Sequence, residues 1–323
     1  MTTRVLEIGG LAAGFCGRLY RQGGADVVRV DQAAPDAWVS DAALDRFLHH
    51  GKRRIATTDP LMVRELAAQA DVLVVEGTPS YLASLGWDNL DCPGVRVAIT
   101  PFGLTGPYKD WHATGSVLLA MGGYTYIMGD PDRAPLTLPG HYVQYQSGQH
   151  AYIAANALQF EGADNQTADV SMWEAVLSLS QFTTIMWTSN GDIRQRHGSD
   201  FGLLYPINIF PCADGWFHVN VVPTFWAAFT RMLGKPELEK DPRFAENADR
   251  LVNRAQLDQI IHEQLGGRTK SAIMRLGEEA RVPTGVLQEL HEVLADEHLA
   301  SRGFWEEVAG VRVPKIAYEI TDR

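Results

Sequence analysis

Lys52, Arg53 and Arg54 stand in a row in a chain whose 28 Lys and Arg are outnumbered by 39 Asp and Glu, for a net charge of −11. Three adjacent cations in so acidic a field either hold a bound anion or form a solvated face. A second group suited to anions comes earlier: Gly9-Gly10, then Gly14 and the helix start beside it. Free backbone N–H groups at a helix N-terminus can receive a phosphate, and a tight turn is the plainer role for the same glycines. They do not spell G-x-G-x-x-G, so neither a nicotinamide nor a flavin dinucleotide is implied. Cys16, Cys92 and Cys212 are odd in number and widely spaced, which gives neither a disulfide framework nor a zinc site. They read as small buried hydrophobes in a reducing compartment, and no metal is expected.

The elements that must position these residues are legible as alternating strands and helices. RVLEI at 4–8, a helical stretch at 16–22 and a strand at 25–30 make one strand–helix–strand unit. A helix at 60–70 and the apolar strands at 71–77 and 95–99 continue the pattern. Val- and Ile-rich strands alternating with helices imply an α/β fold: a parallel sheet covered on both faces, Rossmann-like in its opening. The segments 112–128, 147–160 and 169–189 read as largely apolar helices, and 190–206 as a loop or linker. Beyond it, Ile207–Pro211 and Trp216–Val221 flank Ala213-Asp214-Gly215, a hairpin signal. Amphipathic helices at 224–233, 254–264 and 269–280 complete a smaller α+β module. The expected division is a large domain over 1–190, a linker over 191–206, a small domain over 207–300 and a returning segment over 301–323.

Length and composition agree with two globular domains: 323 residues, 46% apolar and 21% charged. They exclude a disordered chain, a collagen-like repeat and a disulfide-stapled miniprotein. The acidic balance, with no basic stripe, argues against a nucleic-acid partner. The N-terminus lacks a signal peptide's apolar core, and no run approaches the ~18 apolar residues of a membrane span. A cytoplasmic protein with no membrane partner is expected.

Several segments, in order and spacing, resemble the class III CoA-transferase family, which includes formyl-CoA transferase, carnitine CoA-transferase and α-methylacyl-CoA racemase. Gly24-Ala25-Asp26-Val27-Val28-Arg29-Val30 is similar to the family's G-A-D-V-I-K-V, and Gly51-Lys52-Arg53 to its N-R-G-K-R-S. Thr100-Pro101-Phe102-Gly103 through Gly106-Pro107-Tyr108 resembles the turn G-F-G-x-x-G-P-Y, and Asp169 to Ala175 resembles D-V-S-M-x-E-A. Phe210 to Trp216, Asp241-Pro242-Arg243-Phe244, Asn253-Arg254, Val293 to Asp296 and Arg302-Gly303 carry the likeness through the second half. The resemblance implies a Rossmann-like large domain, a small domain and two chains interlocked as a dimer. It also implies a CoA thioester as substrate and a carboxylic acid as acceptor. CoA carries a diphosphate and a 3′-phosphate, for which Gly14, Arg29, Lys52, Arg53 and Arg54 are the candidate binding residues.

The family's transferases use one Asp, four residues before a glycine that opens a long helix. Its carboxylate attacks the acyl-CoA to give a mixed anhydride, and the released thiolate then forms an enzyme thioester. The matching glycine is Gly148, which puts Gln144 at the Asp position, and no Asp or Glu occurs from Arg133 to Phe160. An amide cannot form the anhydride, but it can donate a hydrogen bond to a thioester carbonyl. The racemase branch adds a His about thirty residues earlier; Thr114 holds that position, with His112 two residues upstream. His112 and His141 are therefore candidate bases, with His150 on the following helix and Tyr142 and Tyr145 as possible donors.

Two further departures concern binding and the chain end. Glu76-Gly77-Thr78-Pro79-Ser80 lacks the Arg of the family's E-N-F-R-P-G, and a C-terminal tail shorter than the family's is expected, with its end at Ile320 to Arg323. Three readings stay open: an acyl-CoA enzyme using Gln144 with a His base, a catalytically silent subunit that pairs with an Asp-bearing homologue, and a transferase drawing its carboxylate from Glu174 or Asp130. The expected assembly is a homodimer or a heteromer with a homologous subunit. Trp111, Met121, Tyr124, Tyr126 and Met128 offer an apolar lining for a bulky acyl group.

Overall fold

Val5, Leu6 and Ile8 are each at most 1% exposed, as are Val72 to Val75 in a later strand. Strands buried on both faces belong inside a sheet that is covered above and below. The computed structural model describes residues 2–31, 41–162 and 165–318 and shows such a sheet. The elements are β1 (Arg4–Ile8), α1 (Leu11–Gln22), β2 (Asp26–Asp31), α2 (Ala42–His49), β3 (Arg53–Ala56), α3 (Pro60–Ala67) and β4 (Val72–Glu76). There follow α4 (Pro79–Ser84), β5 (Val95–Thr100), α5 (Gly115–Met121), α6 (Tyr142–Glu161), β6 (Thr167–Ser171), α7 (Met172–Ser178) and α8 (Gln181–Asn190).

The six strands run in the order β3-β2-β1-β4-β5-β6, with every neighbouring pair parallel. This is the doubly wound order, in which the chain reverses direction across the sheet between β1 and β4. Alternate residues feed two cores. Val5, Val27, Val72, Val74, Val97 and Ile99 pack with α1, α5, α6 and α7. Leu6, Ile8, Val28, Val30, Leu73 and Val75 pack under α3 and α4. Each such aliphatic side chain stabilises the sheet by about 1.5–3 kcal/mol through burial.

A second unit contains β7 (Ile207–Cys212), β8 (Gly215–Asn220), α9 (Trp226–Met232), α10 (Asn247–Val252), α11 (Arg254–Leu265), α12 (Lys270–Ala280), β9 (Thr284–Val286) and α13 (Leu290–Leu294). Its three strands are antiparallel in the order β7-β8-β9, around a core that includes Phe210, Phe217, Phe229, Phe244 and Leu257. The chain closes with α14 (Glu297–Ser301), β10 (Trp305–Val308) and β11 (Val311–Pro314). By contact the first unit comprises 1–126, 136–194 and 298–323, and the second 127–135 and 195–297. The last five residues of the chain, including the expected tail end at Ile320 to Arg323, lie outside the described residues.

Two expected helices are corrected. The helix read over 112–128 is only α5, stopped by Gly122 at its C-terminus, with a separate 3-10 turn at Thr125–Ile127. The helix read over 169–189 begins as a strand: Asp169, Val170 and Ser171 are the end of β6, paired with Ala98, Ile99 and Thr100. Local hydrogen bonds enforce the switch. The Asp169 carboxylate accepts from Leu104 N at 3.0 Å, and Ser171 Oγ caps α7 by accepting from Glu174 N at 3.2 Å. The family-like D-V-S-M-W-E stretch is thus a strand end and a helix cap in sequence.

Candidate functional site

In a doubly wound sheet the ligand crevice lies at the carboxyl ends of the strands, at the point where strand order reverses. Here that point is the end of β1 and β4, where Gly9-Gly10 lead into α1. Gly9 has φ +125°, and a Cβ there would sit 2.7 Å from Glu76 Cβ and from Glu76 O, so only glycine fits. The Glu76 carboxylate accepts from Ala13 N at 2.8 Å, a charge placed on the positive end of α1. A carboxylate of the chain itself therefore occupies the position where dinucleotide folds hold a pyrophosphate.

The long helix α6 precedes the parallel strand β6, so it runs against the strands and starts at the same carboxyl edge. It is seated by Gly148, where a Cβ would lie 2.6 Å from Ala12 O and 3.2 Å from Cys16 N. One turn earlier Tyr145 packs on Phe15, ring centroids 4.8 Å apart, and on Phe47 at 6.0 Å. Burial raises the Tyr145 hydroxyl pKa, and Arg18 partly opposes it. Gln144 sits in the first turn of α6 against the start of α5. A Cβ on Gly115 would be 3.1 Å from Gln144 Oε1 and 3.2 Å from Nε2. The amide thus occupies space left by a missing side chain, a relation invisible in either segment alone.

His141 is the N-cap residue of α6, half-buried, and its side chain makes no capping hydrogen bond. Its ring lies 6.2 Å from that of Tyr145. His112 is exposed, two residues before Thr114, the N-cap of α5. Tyr142 is exposed and His150 half-buried on α6. Glu174 is exposed in the first turn of α7, and Asp130 is an exposed residue of the second unit. Trp111 stacks on Tyr108 at 4.2 Å; Met121, Tyr124 and Tyr126 share its unit, whereas Met128 belongs to the other.

The basic run turns inward and outward by residue. Lys52 is wholly buried and its Nζ donates to Glu7 Oε2 at 2.5 Å and to the Gly14 carbonyl at 2.7 Å. Arg29 donates to Glu7 Oε1 at 2.5 Å, to Asp31 Oδ1 at 2.8 Å and to the Gly9 carbonyl at 3.0 Å. Glu7, fully buried on β1, is thereby met by two cations, as a buried carboxylate must be. Burial lowers the Lys52 pKa to about 8, against the attraction of Glu7 that holds it up. Burial, with Lys52 and Arg29 nearby, drives the His49 pKa far down, keeping that ring neutral. Gly14 lies inside α1, and its missing Cβ makes room for His49 Cε1, which would be 2.9 Å away.

Arg54 pairs with Asp31 at 2.6 Å and Asp45 at 2.8 Å and keeps 38% of its side chain in solvent. Arg53, 63% exposed, reaches Asp26 at 3.9 Å, toward the amino end of β2. The three cations thus point three ways. Glu7, Asp31 and Gly115 are the neighbours that sequence reading did not single out. Glu76 is visible in the sequence as the acid that opens the E-N-F-R-P-G-like segment, but not as the partner of the α1 start.

Among the described residues no cluster of three or more His, Cys, Asp or Glu is placed to hold a metal ion. Among those residues no helix is long and apolar enough to cross a membrane.

A doubly wound sheet with Glu76 on the helix start at its reversal point, and a long helix delivering residue 144 to that edge, define the class: an α/β protein with a Rossmann-like sheet. The sequence matches CoA-transferase family III over residues 2–320, and the chain belongs to that family. It is 30% identical to the succinyl-CoA–D-citramalate CoA-transferase of Chloroflexus aurantiacus, across 97% of this chain and 83% of that protein. It is 25% identical to the alpha subunit of succinyl-CoA–L-malate CoA-transferase from Chloroflexus aurantiacus, across 99% and 82% of the two chains. The fold is that of a CAIB/BAIF family protein from Brucella suis, with TM-score 0.87 at 24% identity over 99% of this chain and 92% of that one.

Proposed function

We propose that this chain binds an acyl-CoA thioester at the carboxyl edge of its sheet and serves CoA transfer to a carboxylic acid without supplying the carboxylate nucleophile itself. The observation that carries the reading is Gln144, lodged in the first turn of α6 against Gly115. From there its amide N–H can donate to a thioester carbonyl and polarise it. The amide cannot replace the carboxylate nucleophile, because it is a poor nucleophile at neutral pH and its acylation gives no carboxylic anhydride. The covalent step then needs a carboxylate from a homologous subunit.

The second chain is supported from two sides. Ile185 and Trp187 on α8, and Ile193 just after it, are 58%, 57% and 60% exposed, an apolar surface of the kind subunit interfaces cover. One of the relatives is named as an alpha subunit. In this reading the dimer interlocks as a heteromer with an Asp-bearing homologue, and the carboxyl-edge crevice holds CoA. Arg29 and Lys52 fix the carbonyls of Gly9 and Gly14, and so the shape of the β1–α1 turn. Arg54 and Arg53 are the members of the run that a phosphate can reach from solvent. A cytoplasmic setting fits both the CoA pool and the free thiols of Cys16, Cys92 and Cys212.

A second reading rests on His141, whose ring is not used for capping one turn below Gln144. It would take the α-proton of the thioester, as in racemase or hydratase chemistry. One experiment separates the two. The purified chain is incubated with succinyl-CoA and labelled carboxylic acids, alone and with a co-expressed Asp-bearing homologue. The proposal expects transfer only in the mixture; transfer by the chain alone refutes it. Deuterium entering the α-carbon from solvent favours the His141 reading.

A further inference from the structure

Arg18 and Arg21 lie in the second half of α1, and at 1.5 Å of rise per residue Arg21 is about 15 Å along the helix from its carboxyl-edge start. Beside them the first unit forms a half-open cavity of about 310 Å³ lined by Arg18, Arg21, Gln22, His50, Glu306 and Lys315. Three separate segments build it: the end of α1, the turn before β3, and the C-terminal β10–β11 hairpin with the residues after it.

The arginines are held by neutral groups. Arg18 donates to the carbonyls of Phe47 and Pro314 and lies over the Phe47 ring, 4.1 Å from its centroid. Arg21 Nε donates to the Gly51 carbonyl at 2.7 Å, which leaves its terminal nitrogens free of that bond. Among the described residues neither arginine nor Lys315 has a carboxylate within ion-pair distance, and Glu306 has no cation within it. Carbonyl anchoring fixes the guanidinium groups without neutralising them. Among the described residues, three cations and one carboxylate line the cavity, a net of two positive charges in a chain whose net charge is −11. Such a local field collects anions despite the global one.

We propose that this cavity is a second anion site, separate from the CoA crevice, that takes a small dianionic oxyanion, either a dicarboxylate or a phosphate. The residual double charge matches a dianion, and Glu306 disfavours the closest approach of larger polyanions. Arg18 is a fixed, buried contact, whereas Arg21 and Lys315 are exposed arms that can close on the ligand. An occupied site would tie the C-terminal segment to α1 through the ligand, adding to the Arg18–Pro314 hydrogen bond.

The test is thermal unfolding of the full chain in millimolar inorganic phosphate, succinate or chloride at matched ionic strength. It is run on the wild type and on Arg21→Gln and Lys315→Gln, both exposed positions outside the catalytic machinery. A saturable rise of about 2–5 °C with phosphate or succinate, absent with chloride and lost in both variants, is expected. Response to phosphate alone identifies a phosphate ligand, and response to succinate alone a dicarboxylate. An equal shift with chloride, no shift with either dianion, or a shift retained in the variants overturns the proposal. Retention would place the anion in the CoA crevice instead.

Discussion

Replacing Lys52 by Met removes the cation that touches Glu7 Oε2 at 2.5 Å inside the first unit, with both side chains fully buried. Breaking a buried pair from one side costs about 3–5 kcal/mol, because the remaining charge is stranded. Glu7 keeps Arg29 on its other oxygen at 2.5 Å, which places the loss near the lower end, about 3 kcal/mol. Against total stabilities of about 5–15 kcal/mol, that lowers the urea midpoint by about 1 M. The assay is urea unfolding of wild type, Lys52→Met, Glu7→Gln and the double variant. Removing both charges removes the stranded carboxylate, so the double variant is expected to be more stable than Lys52→Met alone. A loss under about 1 kcal/mol, with CoA binding weakened tenfold, would show that Lys52 works on the ligand and not beneath the β1–α1 turn.

Gly115→Ala places a methyl 3.1 Å from Gln144 Oε1; stability stays within about 0.5 kcal/mol, and titration calorimetry shows acyl-CoA affinity down about 3–10-fold, the worth of one neutral hydrogen bond. Gly148→Ala meets a rigid neighbour, Ala12 O at 2.6 Å, and costs about 1–3 kcal/mol, read as a lower midpoint in the same urea series. Partial burial raises the Asp31 pKa, but hydrogen bonds from Arg54 and Arg29 outweigh it and hold the carboxyl below its ordinary 3.8. Its contribution is therefore complete above that pH and fades as pH falls through the lower folded value, so Asp31→Asn flattens the acid limb of stability against pH.

Much of the sheet is legible in the sequence because its strands are apolar on both faces and bounded by turns. Val72 to Val75 cannot be read as a surface element. The start of β6 is not legible by the same rule: Thr167 and Ala168 are weakly apolar, and what fixes the strand is Asp169 reaching Leu104 across 65 residues. The basic run shows the limit most clearly. Three consecutive cations are visible at once, but their directions depend on Glu7 from β1, Asp31 from β2 and Asp45 from α2. Gln144 could be placed by counting back from a glycine, whereas Gly115 beneath it could not. That neighbour is 29 residues away and is defined by lacking a side chain.

Intact-protein mass spectrometry after mixing with succinyl-CoA, with and without hydroxylamine, tests the role of residue 144 most directly. The wild type is predicted to show no covalent acyl or CoA adduct, and Gln144→Asp to acquire one that hydroxylamine releases. An adduct on the wild-type chain, mapped by peptide digestion to any carboxylate of this chain, would contradict the account.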